Sequence, residues 1–174
     1  MDIVAIALFI TALGFGGCLV AIAVCDLNSF TIPNSVSIAL IWLFLVSMPF
    51  ASSDISLASH VGSFLLVSAA GLFAFRFGLF GGGDVKSWAA IALWYDLHGL
   101  PMQILGVTLV GSCLGLLTLG IRRAASCQFI QHYVPRSRLP RLLQVGEPIP
   151  YGVAISLGTA FSAGQIDFFH TLPF

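Results

Sequence analysis

Charge is what this chain has least of. Seven basic and seven acidic side chains among 174 residues amount to 8% of the sequence, where soluble domains carry roughly 25%. That scarcity excludes an ordinary water-soluble domain. The balance, a formal net charge of +0, removes any general attraction to nucleic acid. Cysteines number only four. Cys18, Cys25, Cys113 and Cys127 form no Cys-x-x-Cys, so no metal signature is present, and they are expected to be buried small apolar residues. His60, His98, His132 and His170 are too scattered for a metal cluster or a Ser-His-Asp set.

What is abundant is apolar: 58% of the residues are hydrophobic and the mean hydropathy is +1.01. The apolar stretches are Ile3–Cys25, Ser35–Phe50, Ile55–Phe75, Ser87–Tyr95 running on toward Leu100, Met102–Ile121 and Ile149–Gly164. About 20 residues cross a hydrocarbon core, and lipid admits only segments that satisfy their own backbone. Long apolar runs without a period of two are helices rather than strands. The expectation is an all-α polytopic membrane protein, a bundle of about six transmembrane helices forming one domain over residues 1–174. The second, fourth and sixth segments are short or interrupted. The first has no basic stretch ahead of it and reads as a retained anchor rather than a cleaved leader.

Basic residues set the orientation. Arg76 and Lys86 fall between the third and fourth segments, and Arg122, Arg123, Arg136, Arg138 and Arg141 between the fifth and sixth. Six crossings put both loops in one compartment, which the positive-inside rule makes the cytoplasm. Asp26, Asp84 and Glu147 then lie inside. Asp2, Asp54, Asp96, Asp167 and both termini lie outside.

Two carboxylates have unusual surroundings. Asp26 closes the first apolar segment and is followed by Leu27–Thr31 and Ile32-Pro33-Asn34. Pro33 disfavours helix at Ile32, and Asn34 suits the N-cap of a helix beginning at Ser35. Asp26 is therefore expected just past the end of one helix; taken alone it reads as a solvated interfacial carboxylate. Asp84 follows Gly81-Gly82-Gly83 and precedes Val85-Lys86. Each glycine costs a helix about 1 kcal/mol relative to Ala, and what the run permits is positive φ and close approach of another backbone. Asp84 is expected to open the fourth helix, the plain alternative being a flexible loop with a capping aspartate.

Together the two acids have a use that neither has alone. One protonated and one ionised carboxylate can hold and activate a water for peptide hydrolysis. Close like charges push the two apparent pKa values apart, and those values belong to the pair. Asp84, beside a helix N-terminus and Lys86, is expected to be the ionised member.

Asp26…Ile32-Pro33-Asn34 and Gly81-Gly82-Gly83-Asp84-Val85-Lys86 resemble the two signature regions of the type IV prepilin peptidases, bacterial aspartic leader peptidases of the Gly-x-Gly-Asp class. Pro150-Tyr151-Gly152, preceded by Glu147-Pro148-Ile149, resembles a third region that opens their last helix. The likeness extends over nearly the whole chain. In size and span count it is to the short form found with tight-adherence (Tad/Flp) pilus systems. It implies an inner-membrane endopeptidase that removes the leader of Flp-type prepilins at the cytoplasmic face. Asp26 and Asp84 would be its catalytic pair, and no metal or cofactor is implied. Gly81, Gly82 and Gly83 are expected at the substrate, with Lys86 and Glu147 as further contacts. Ile32, Pro33, Asn34, Pro150, Tyr151 and Gly152 would be structural. Prepilin and membrane lipid are the expected partners.

The chain departs from the family in one region. Where relatives often carry basic residues after the first aspartate, it has Leu27-Asn28-Ser29-Phe30-Thr31. Longer relatives also have an additional cytoplasmic segment and methylate the new N-terminus. The short stretch between Asp26 and Asn34 leaves no room for that segment, so cleavage without methylation is expected.

Two other functions would also place carboxylates in a membrane bundle. A proton or ion pathway predicts charges near mid-span, whereas Asp26 and Asp84 lie at segment ends. A non-catalytic assembly component leaves the triple glycine and both acids without a purpose. The basic loop at 122–146 mixes five arginines with apolar side chains, and Pro135 and Pro140 argue against one continuous helix. Its expected role is to lie on anionic lipid, at about 1 kcal/mol per basic residue. His60 is expected to hydrogen-bond inside the bundle.

Overall fold

The computed structural model describes residues 3–50, 55–125, 149–166 and 168. Within them the chain forms six α-helices: α1 (Ile3–Ser29), α2 (Asn34–Ser47), α3 (Leu57–Arg76), α4 (Gly82–Ala92), α5 (Leu100–Ala125) and α6 (Tyr151–Ser162). One-turn 3-10 pieces at Met48–Phe50 and Ala163–Gln165 extend α2 and α6. Each apolar segment of the sequence corresponds to one helix. α1, α3 and α5 are long and apolar enough to cross a bilayer by themselves; the alternate helices are shorter.

The distribution of polarity is that of a protein solvated by lipid. Ile3, Leu13, Val20, Phe73, Leu116 and Phe161 are all well exposed, while Ser37, Ser47, His60, Ser63, Ser87, Gln103 and Thr159 are buried. An apolar exterior of this extent has no stable contact with water. In lipid, helices associate through close packing and interhelical hydrogen bonds rather than through a hydrophobic drive. The chain is a polytopic membrane protein.

Helix α4 is the hub, packed against α2, α3 and α6. Its residues Ala89–Ala92 and the following Leu93, Trp94 and Tyr95 are buried. The Trp94 ring lies 4.8 Å from Phe15 of α1 and 5.7 Å from Phe44 of α2. Tyr95 donates from its hydroxyl to the Thr159 carbonyl at 3.2 Å and shares a 2.9 Å hydrogen bond with Ser162, both of α6. His60, wholly buried, reaches the Leu93 carbonyl through Nδ1 at 3.0 Å, which is the bundle contact expected of it. α5 and α6 meet main chain to main chain. A Cβ on Gly106 would lie 2.6 Å from the Gly158 carbonyl oxygen, and one on Gly158 would overlap the main chain of Gly106 and Val107.

Several local expectations are corrected. α1 does not stop at Cys25 but runs to Ser29, so Asp26 lies inside its last turn; Phe30, at φ 52, ends it. α2 begins at Asn34 itself, with Pro33 as an extended N-cap and no side-chain capping bond. The Asn34 side chain is drawn away by a lysine described below. Nor does the glycine run keep helix out, since α4 begins at Gly82. Cys113 is exposed and Cys18 and Cys25 half-buried, all three free; a thiol is apolar enough to face lipid. Cys127, His132, His170, Glu147 and the loop arginines from Arg136 onward lie outside the described residues.

Candidate active site

Helical periodicity delivers Asp26 to the interior. The buried residues of α1 are Leu8, Thr11, Phe15, Leu19, Ile22 and Asp26, spaced three or four apart down one face. Asp26 is the last member of this apolar stripe and is only 4% exposed. There it meets the start of α6. Gly152 N–H donates to Asp26 Oδ2 at 2.6 Å, and Val153 supplies a second main-chain hydrogen bond.

Asp84 sits in the first turn of α4, half-buried. Its Oδ2 accepts the N–H of Gly81 at 3.2 Å, turning the side chain back over the glycine loop. The loop in turn packs on the Ile-Pro-Asn segment: a Cβ on Gly83 would stand 3.4 Å from both the Cβ and the main-chain nitrogen of Ile32. Gly82 lies against the Phe75 ring. Lys86 donates from Nζ to Asn34 Oδ1 at 3.2 Å, joining the two signature segments directly. Phe80, just before the glycines, places its ring 4.9 Å from Tyr151 and 5.7 Å from Trp88. The residues singled out from the sequence at 26, 32, 34, 81–84, 86, 151 and 152 thus meet at one end of the bundle, and Pro33 and Pro150 are the N-caps of α2 and α6.

The two acids are distinguished by their surroundings. Asp84 lies outside the three long spanning helices. Burial first, and the nearby Asp26 charge second, push its carboxyl up to about 6, against the smaller opposing pull of the Gly81 N–H. This reverses the expectation that Asp84 is the ionised partner. The Lys86 ammonium that was to favour its charge is engaged with Asn34 instead. Asp26 faces two main-chain donors at the start of α6, whereas Asp84 has the Gly81 N–H.

Two participants were not visible beforehand. Val153 contributes only its main chain, which no side-chain pattern reports. Phe80 had a signal in its position beside the glycine run, but nothing in the sequence aims its ring at Tyr151. Among the described residues no group of three His, Cys, Asp or Glu side chains could hold a metal.

The sequence profile of the type IV leader peptidase family matches residues 5–118. The chain is 30% identical over 145 residues to a prepilin leader peptidase/N-methyltransferase of Pseudomonas aeruginosa, an alignment covering 80% of this chain and 43% of that protein. It is 27% identical over 164 residues to a protein of the same description from Stutzerimonas stutzeri, covering 86% and 50%. A third, from Legionella pneumophila, is 30% identical over 112 residues, covering 59% and 38%. The chain thus spans half or less of the length of these curated relatives. No solved structure matches it significantly.

Proposed function

The chain belongs to the type IV leader peptidase family, and on that footing we propose that it is an aspartic endopeptidase of the bacterial inner membrane that removes the leader of Flp-type prepilins at the cytoplasmic face. One observation carries the reading. Acids from α1 and α4 converge at a single bundle end, one held by the main chain of α6 and the other raised to about 6 by burial and by its partner.

A water held between such a pair has both a base and an acid at hand. Asp26 takes a proton from the water as its oxygen attacks the scissile carbonyl, and Asp84 gives its proton to the carbonyl oxygen. As the tetrahedral intermediate collapses, Asp26 passes its proton to the departing amine and Asp84 recovers one from the hydroxyl. The glycines at 81–83 present main chain rather than side chains to the substrate, so an extended peptide can approach closely. Arg76 at the end of α3, Lys86 in α4, and Arg122 and Arg123 near the end of α5 share this end of the bundle with the acids, which supports a cytoplasmic site.

The chain is proposed to cleave without methylating. The main test is reconstitution of purified protein in proteoliposomes with an Flp-type prepilin, followed by mass spectrometry of the product. A single shortened pilin with an unmodified N-terminus is expected. No cleavage would refute the peptidase, and a methylated product would refute the second clause alone.

The pH profile is a further prediction. Asp84 acts protonated, and its acid form is depleted as pH rises through about 6. Above that point kcat/KM is expected to fall about tenfold per pH unit. A profile flat from pH 6 to pH 8 would remove Asp84 as the proton donor.

A further inference from the structure

Helix α6 opens without a cap of its own. Its N-cap is Pro150, which makes no side-chain capping bond, so the first-turn N–H groups need an acceptor from elsewhere. Asp26 is that acceptor, 126 positions away in sequence. It reaches in from α1 to take the N–H of Gly152 at 2.6 Å and a second bond from Val153. The fit has no slack. A Cβ on residue 152 would lie 2.8 Å from Oδ2, 2.9 Å from Cβ and 3.0 Å from Cγ of Asp26. Real Cβ atoms essentially never approach so closely, and here the obstacle is a short, buried side chain fixed to a helix rather than a flexible tip. Glycine is also the poorest helix former after proline. Its presence in the first turn of α6 is explained by the approach of Asp26.

We infer that Gly152 is a positioning residue for the peptidase: its missing side chain lets the Asp26 carboxylate dock on the α6 N-terminus, which orients it as the base. The inference rests on the aspartic reading above and adds a third helix to the site. Docking fixes one face of the carboxylate and leaves its remaining lone pairs for the water shared with Asp84. A side chain at 152 turns the base away without touching the substrate.

The test compares Gly152→Ala with the unaltered protein on a purified Flp-type prepilin in proteoliposomes. Because a misplacement of about 1 Å costs roughly 100-fold, kcat per folded enzyme is expected to fall by about that factor with KM little changed. The acidic limb of the kcat profile is expected to move. A smaller folded fraction alone scales kcat and leaves the limb where it was; that result, or an unchanged kcat, overturns the inference. If the alanine variant does not accumulate, glycolic acid incorporated at position 152 by nonsense suppression removes the N–H and adds no bulk. About a tenfold fall in kcat is then expected from the lost charge-assisted bond, and full activity overturns the inference. Asp26→Asn separates the two levels. If it stays active, the aspartic mechanism fails and the inference with it. If it is inactive while Gly152→Ala is fully active, only the inference fails.

Discussion

Prepilin cleavage is expected to fall by at least about 10³-fold in Asp26→Asn, and by a similar factor in Asp84→Asn, because each removes one half of an acid–base pair. An amide is nearly the same size as a carboxyl. At position 26 it can still accept the Gly152 N–H, and at position 84 the Gly81 N–H. What it cannot do is take up or release a proton at any working pH. The double variant is expected to be no worse than either single one, since both acids act on one water and such effects are far from additive. Stability gives the control. Asp84 has a raised pKa, so the fold loses stability as pH climbs from the ordinary carboxylate range to about 6, and the full loss persists above that. The neutral Asp84→Asn variant should therefore melt at the same temperature as the unaltered protein or higher in that range. A dead enzyme that is no less stable cannot be explained by misfolding. Retained cleavage in either single variant would remove that acid from the mechanism.

Gly158→Ala is expected to destabilise the bundle by about 3 kcal/mol, toward the upper end of what added volume in a packed interior costs. The obstacle is main chain, that of Gly106 and Val107 on α5, and a helix backbone cannot swing aside as a flexible side chain can. Gly115→Ala on the same α5 helix is the counterpart. A Cβ there meets nothing within 4 Å, so the change gains helix propensity, up to about 1 kcal/mol. Thermal melting of the two variants in detergent should shift in opposite directions. Equal shifts would mean that α5 and α6 do not cross as closely as described. Because α6 also carries the Gly152 contact to Asp26, loosening it should reduce activity in the molecules that remain folded.

The helix count and the six segments were legible because both rest on composition, while Asp26 and Asp84 stood out through their local sequences and the family resemblance. Hydropathy marks spans, alternating span lengths mark the short helices, and a triple glycine beside a carboxylate is a rare combination. Boundaries were less legible. Asp26 looked like a residue beyond a helix end because polarity stops the apolar run at Cys25. Yet Asp26 continues the spacing of Leu19 and Ile22, and periodicity rather than polarity gave the correct placement. Asn34 looked like a cap since asparagine commonly is one; its actual partner, Lys86, comes from a helix distant in sequence. The protonation order was misjudged for the same reason, because local charges can be read from the chain while burial cannot. The Gly106–Gly158 crossing left no trace in hydropathy, as glycines in an apolar segment look alike until the opposing helix is known.

The link between Asp26 and the start of α6 has a bearing on how the molecule is made. A nascent polypeptide emerging from the ribosome carries both acids long before α6 is synthesised. Until that helix inserts, Asp26 has no main-chain donors to set its direction, and the unfinished product should be inert. On the proposed mechanism, activity would then wait for insertion of α6, which spares neighbouring membrane proteins from a half-built protease.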